Sequence, residues 1–299
     1  MKCNPWVGGS IGRRGFPMLG TGKRGLTTLV KDIFRNGEQG FFYDPNDLST
    51  MYQAAGGAIP VTAAGQPVGL ILDKSKGLLL GNELAPPVTS MNGWITLGQP
   101  ANGTVTADTS GINFNANAAG ILALLLPNLS ADKLYKVSVS ITQVSGIFVA
   151  EAAPGGTGFS ITKPGTYTYF SRGRVNVYFR NNPNVACTAK ISAITVKELS
   201  GNHAYQTTSA ASPILRDTPH RIDFDAVDNK LITNLPGQLT GCTVVRSVPN
   251  VGTQILTGQT IPATCEDNKD HCGLIVINRA LTATETAQIT RLFNKAAGV

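Results

Sequence analysis

The sequence predicts a mainly β protein: an antiparallel β-sandwich or jelly-roll domain, with an extended N-terminal arm ahead of it and a small C-terminal β-plus-helix part behind it. Three observations lead there. Charged residues make up only 14% of the 299, against roughly a quarter in an average globular domain. Glycine (33) and proline (17) are frequent, as expected where turns separate many short strands. Hydrophobic residues also alternate with polar ones over several short runs, which is the period of a strand with one buried face.

The arm and first helix span residues 1–40. Lys2, Arg13, Arg14, Lys23, Arg24, Lys31 and Arg35 face a single acid, Asp32, so +6 of the formal +7 charge lies in residues 1–35. A Gly-rich cationic leader on a nearly neutral body suits docking onto an acidic surface. A partner protein is expected there ahead of nucleic acid, with Arg13, Arg14, Lys23 and Arg24 as contacts. Leu26, Leu29, Val30, Ile33 and Phe34 then fall on one helical face, predicting a short amphipathic helix that stops near Asn36-Gly37. The glycine can take the left-handed cap conformation there.

In residues 41–85, Asp44-Pro45 and Asp47-Leu48-Ser49 supply turn and cap chemistry. Phe41, Phe42, Tyr43, Met51 and Tyr52 supply apolar surface that must be buried, either internally or against a neighbouring subunit. Phe41, Phe42, Tyr43 and Tyr52 are therefore candidate interface anchors. The run from Gly40-Phe41-Phe42-Tyr43-Asp44-Pro45 through Pro60-Val61-Thr62 and Pro67-Val68-Gly69 to Asp73-Lys74-Ser75 resembles a module of tailed-phage and prophage virion proteins, usually labelled tail or fibre proteins. That resemblance implies a structural virion component.

Residues 86–199 are predicted to form the sandwich. Tyr135, Val137, Val139 and Ile141 alternate with Lys136, Ser138 and Ser140; Tyr167 and Tyr169 alternate with Thr166 and Thr168; Val175 and Val177 flank Asn176. Such patterning argues for antiparallel strands packed on one face. The stretch resembles the carbohydrate-binding-module-like domains that follow the first module in the same phage proteins. Its strand-face aromatics Tyr167, Tyr169 and Tyr178 could stack on sugars, although aromatics in a strand more often belong to a core or interface.

Residues 200–299 hold Arg221-Ile222-Asp223-Phe224-Asp225-Ala226-Val227-Asp228 and, later, Val276-Ile277-Asn278-Arg279-Ala280-Leu281-Thr282-Ala283-Thr284-Glu285. These are similar to an early strand and the closing strand-and-helix phrase of concanavalin-type and laminin-G-type sandwiches. Thr282 and Glu285 read as a capping box, Leu281 as the hydrophobic staple, and Ile289, Leu292 and Phe293 as the buried helical stripe. The chain between the two phrases is too short for a complete sandwich of that kind, which would leave apolar faces uncovered. Either the preceding residues or neighbouring subunits are expected to complete the core.

Chemistry is sparse. Gly20-Thr21-Gly22-Lys23-Arg24 lacks the spacing of a phosphate loop, and Arg24 stands where a Ser or Thr would hold magnesium. Cys265 and Cys272, near Asp267, Asp270 and His271, do not match zinc spacings. The five cysteines (Cys3, Cys187, Cys242, Cys265, Cys272) are odd in number and scattered, so reduced thiols are expected. His203, His220 and His271 sit in no catalytic frame. Asp223, Asp225 and Asp228 read as strand-edge or turn groups ahead of a glycosidase pair or a calcium site. No stretch approaches the roughly 20 apolar residues of a membrane span, and no signal-peptide core is seen.

These readings predict a non-enzymatic structural component of a phage virion without cofactor or metal, made in the host cytoplasm and placed in the tail, baseplate or fibre region. It would assemble through protein interfaces as a homo-oligomer, a trimer suiting a fibre. The alternatives are a receptor- or glycan-binding tail protein, a capsid decoration or head fibre, and a depolymerase.

Overall fold

A computed structural model describes residues 25–151, 158–172 and 175–299. The basic contacts expected at Arg13, Arg14, Lys23 and Arg24 lie outside the described residues. The protein is mainly β, 45% strand and 11% helix, with antiparallel sheets throughout.

Residues 86–199 form a sandwich of two sheets. The long sheet runs Gly165–Arg172, Leu134–Ser145, Cys187–Leu199, Gly111–Ala116 and Gly103–Asp108, with Leu80–Glu83 added beside Cys187–Leu199. The outer sheet runs Gly158–Ile161, Phe148–Glu151, Val177–Asn181, Ala123–Leu126 and Ile95–Leu97. The predicted alternation holds in Leu134–Ser145, where Tyr135, Val137, Val139 and Ile141 are buried and Lys136 is exposed. These side chains meet Phe148, Phe179 and Leu124 of the outer sheet in one core. Val175 departs from the predicted pattern. It precedes the strand Val177–Asn181 and is 59% exposed, whereas Val177 and Phe179 point inward.

The second core is shared by the two ends of the chain. The helix-backed sheet runs Gly40–Tyr43, Gly273–Ile277, Leu239–Val248 and Gly252–Ile261, so a strand from residues 40–43 pairs directly with one from residues 273–277. Facing it is the seam sheet of Met51–Tyr52, Leu70–Ile71, Ala204–Tyr205, Leu231–Asn234 and Thr264–Asp267. The apolar faces of residues 200–299 are thus covered within the chain by residues 40–75, and the middle sandwich is an insertion in this composite unit. Of the two ways to complete that core, the chain uses its own preceding residues.

The continuous apolar runs now have a cause. In Gly40–Tyr43, Phe41 and Tyr43 face the seam sheet while Phe42 faces the helices. In Gly273–Ile277, Leu274 and Val276 point one way and Ile275 and Ile277 the other. A strand covered on both faces shows no alternation. Gly40 takes a φ of +137°, and a Cβ there would lie 1.9 Å from the Val276 carbonyl oxygen, so only glycine permits this strand approach.

Two helices cover the outside. Helix α1, Leu26–Ile33, buries Leu29, Val30 and Ile33, and Gly37 beyond it has a φ of +85°. Helix α2, Ala283–Ala297, opens with the predicted capping box: Glu285 N–H donates to Thr282 Oγ1 at 3.2 Å, and Thr282 N–H donates to Glu285 Oε2 at 2.8 Å. Ile289 and Phe293 are fully buried, with Leu281 and Leu292 packed beside them.

A small apolar seam joins the two units. Leu70, Leu72, Tyr52 and Tyr205 from the seam sheet and its flank meet Leu134, Phe170 and Leu199 of the long sheet. Tyr52 meets Phe170 edge-on at 5.1 Å, and Phe170 N–H donates to the Gly56 carbonyl at 3.0 Å. The layer order is therefore helices, helix-backed sheet, seam sheet, long sheet, outer sheet.

This topology predicts that residues 200–299 expressed alone are unfolded by far-UV circular dichroism, since half of their core is missing. A chain in which a short Gly-Ser linker replaces residues 80–199 folds cooperatively, because Ser200 N–H already meets the Leu79 carbonyl at 2.9 Å.

Candidate functional site

The register of the outer sheet sets out the side turned away from the sandwich core, where Leu125, Ala123, Glu151 and Val149 are buried all the same. Core residues Phe179 and Val177 alternate with Tyr178 and Arg180, which therefore face away from the sandwich. Across the strands, one row reads Ile95, Leu125, Tyr178, Glu151, and the next reads Leu97, Ala123, Arg180, Val149. The Arg180 guanidinium donates to Glu151 Oε1 at 2.6 Å and to the Asn181 carbonyl at 2.9 Å. Ile95 and Leu97 remain 45% and 47% exposed. A half-buried aromatic ring beside a fixed guanidinium–carboxylate pair, on an apolar floor, offers one stacking surface and an ordered polar edge.

The other two tyrosines predicted as glycan contacts lie elsewhere. Tyr169 is fully buried, edge-on to Phe159 at 5.1 Å, and faces the sandwich core, where no ligand reaches it. Tyr167 is half-buried against the same core, and its hydroxyl donates to the Lys163 carbonyl at 2.7 Å. Only Tyr178 of the three shares the outer face. The signal for it was in the sequence, since Val177 and Phe179 flank it at strand spacing.

The predicted interface aromatics are spent internally. Phe41, Phe42 and Tyr43 are 1%, 0% and 1% exposed within the chain, leaving no surface for a second subunit. Tyr52 lies half-buried in the seam.

The buried polar groups tie strands together. The Asp73 carboxylate accepts from the amides of Phe42, Ser75 and Asn202 and from the Ser75 hydroxyl, each at 2.8 Å. Burial pushes its pKa up to about 6 against the pull of those donors. His203 Nδ1 accepts from Asp73 N–H at 2.9 Å, which leaves Nε2–H facing the Leu199 carbonyl at 3.1 Å. Burial holds this imidazole down at about 4. The Tyr43 hydroxyl, raised well above its ordinary range by burial, sits 2.5 Å from the Asn202 carbonyl and 2.7 Å from Thr233 Oγ1. Lys74 Nζ lies 2.8 Å from Asp44 and 2.7 Å from Asp47.

The remaining predicted residues fall into structural bonds as well. Asp223 pairs with Arg216 and Arg221. Exposed Asp225 accepts the amides of Val227, Asp228 and Asn229, which lower its pKa as in an Asx turn. Asp267 is buried, yet His271 at 3.0 Å and Arg246 at 2.7 Å overcome that burial and hold its carboxyl at about 2. Asp270 accepts from Phe224 N–H. Cys265 and Cys272 are free, and burial pushes both thiols up to about 11. Among the described residues no three His, Cys, Asp or Glu side chains gather as a metal site would require.

A groove of about 710 Å³ also lies at the junction of the two units, lined by Lys31, Phe34, Lys76, Lys133, Glu198 and neighbouring backbone. Its charges are partly used: Lys133 pairs with Glu198 at 2.9 Å, and Lys76 donates to the Glu38 carbonyl.

No family model matches the chain, and no significantly similar curated protein was found.

The sign of the pH dependence follows from the two buried groups. A raised carboxylate pKa contributes stability that is present below about 3.9 and lost as pH rises through 6; a depressed histidine contributes stability above about 6.5 that is lost as pH falls through 4. The two oppose one another across pH 4–6.5. Replacing Asp73 by Asn removes one arm. The stability gap between native protein and D73N, measured by urea unfolding, is expected to widen by roughly 2 kcal/mol between pH 7.5 and 4.5; a gap that narrows would contradict the raised carboxyl.

Proposed function

We propose that the protein is a structural component of a bacteriophage virion, in the tail, baseplate or fibre region, and that it works through protein–protein interfaces. Two lines support this reading. The first is the resemblance of residues 37–85 to a virion module. The second, on which the assembly reading chiefly rests, is the edge strand Gly252–Ile261.

Sheet edges invite pairing, and proteins blunt them with charge, proline, shortness or cover. Here the edge Leu80–Glu83 is short, Thr264–Asp267 carries two acids, Gly103–Asp108 ends in Asp108, and Gly165–Arg172 is docked on Gly56. Gly252–Ile261 is ten residues long, with no charge and no proline. It has a strand neighbour on one side only among the described residues. Leu256 on it is 46% exposed. The guard it carries is Asn294, whose Oδ1 accepts from Thr253 N–H at 2.8 Å. A neutral strand can pair with a copy of itself without opposing like charges, which fits a homo-oligomer.

Thr257→Lys sets a charge on that edge at an exposed position. It is expected to weaken self-association at least tenfold in sedimentation velocity while changing unfolding free energy by less than about 0.5 kcal/mol. A native chain that stays monomeric at high concentration, and is missing from purified particles by mass spectrometry, would remove the proposal.

A second reading, receptor or glycan recognition at the outer sheet, is favoured by the Tyr178 face with its Arg180–Glu151 pair. Tyr178→Ala is then expected to lower glycan-array binding by about tenfold or more, in line with the loss of one stacking aromatic, while the buried Tyr169 is irrelevant to contact.

A further inference from the structure

The part of the long sheet's outer face that the seam leaves uncovered, next to buried Phe170, carries a feature that assembly does not explain. Lys136 and Lys197 stand directly opposite one another on neighbouring strands. Like charges so placed are destabilising. Neither lysine has an ion-pair partner among the described residues. The nearest acid in the register, Glu83, opposes Lys197 from the other side; it keeps its negative charge, but its Oε1 is turned to the amides of Val196, Leu84 and Ala85 and it forms no ion pair with Lys197.

The adjoining row across the same strands is Thr168, Ser138, Thr195. Three hydroxyls therefore lie beside two ammonium groups, and Leu80 walls one side. Together these six side chains line a depression of about 280 Å³, close to the lower end of small-ligand pockets, about 300 Å³. The Thr168 hydroxyl donates to Ser138 Oγ at a long 3.4 Å, a weak bond that a ligand oxygen can replace, and the Ser138 hydroxyl remains free to donate.

We propose that this depression binds a phosphate group. Two ammonium point charges with three hydroxyl donors suit a tetrahedral, multiply charged oxyanion, whereas a planar carboxylate is best matched by the guanidinium fork of arginine, which this depression lacks. Bound phosphate removes the repulsion between the lysines, so the site is strained when empty and relieved when filled. The inference is independent of the virion assignment and of the Tyr178 face, which lies on the other sheet.

The test uses the full chain, with inorganic phosphate added at ionic strength held constant with sodium chloride. Calorimetry is expected to show saturable binding that weakens about tenfold in K136Q and in K197Q and disappears in the double variant, the loss expected for a charge-assisted hydrogen bond. In phosphate-free buffer K197Q is expected to melt higher than the native protein, while losing the phosphate-dependent rise in Tm. A phosphorylated polysaccharide binding more than tenfold tighter than inorganic phosphate identifies a glycan-borne group; equal affinity identifies the free ion. Phosphate binding unchanged in the double variant, or an equal response to chloride alone, overturns the proposal.

Discussion

The fold depends on closing one core from two stretches of chain that an entire sandwich separates. Asp73 and Asn202 are 129 residues apart, yet the carboxylate of one accepts the amide of the other. Around that bond, Phe42, Ser75 and His203 are fixed, and through Phe42 the strand Gly40–Tyr43 is held against Gly273–Ile277. A carboxylate taken out of water costs several kcal/mol unless donors surround it. Four donors do so here, which makes the site intolerant of any arrangement in which the two crossings part. Long-range closure of this kind is entropically expensive, and the buried aromatics Phe41, Phe42 and Tyr43 offset it by filling both faces of one short strand.

Much of the architecture was legible in local pattern. Period-2 alternation located the strand Leu134–Ser145, and the Thr282–Glu285 capping box located α2, because both signals are short-range. The shortage of chain between the two sandwich-like phrases was legible too, as a deficit of apolar cover. What supplied the cover was not. The run Gly40-Phe41-Phe42-Tyr43 is hydrophobic on both faces, and such a run states that it is buried without stating against what. Assigning these aromatics to a subunit interface followed from the same ambiguity that the internal pairing resolves.

The candidate site was half legible. Tyr178 sits between Val177 and Phe179, so its outward direction follows from period 2, whereas Tyr169 follows the buried parity of its own strand. The Arg180–Glu151 pair joins strands that only tertiary register brings together. The Lys136–Lys197 opposition was hidden more deeply. It depends on a pairing between Leu134–Ser145 and Cys187–Leu199 whose register shifts between Lys190 and Ala193, and an irregularity of that kind leaves no mark in composition or periodicity.

The sequence of layers also has a mechanical meaning. Helix α1 lies in the first layer, and Tyr178 lies on the last. Any load carried between these ends crosses the contact of Leu70, Leu72, Leu134, Phe170 and Leu199, an apolar patch far smaller than either sandwich interior. Dispersion and burial forces scale with the area brought together, so this junction is the compliant element of the chain. Tension would open it first, leaving two intact sandwiches on a double tether.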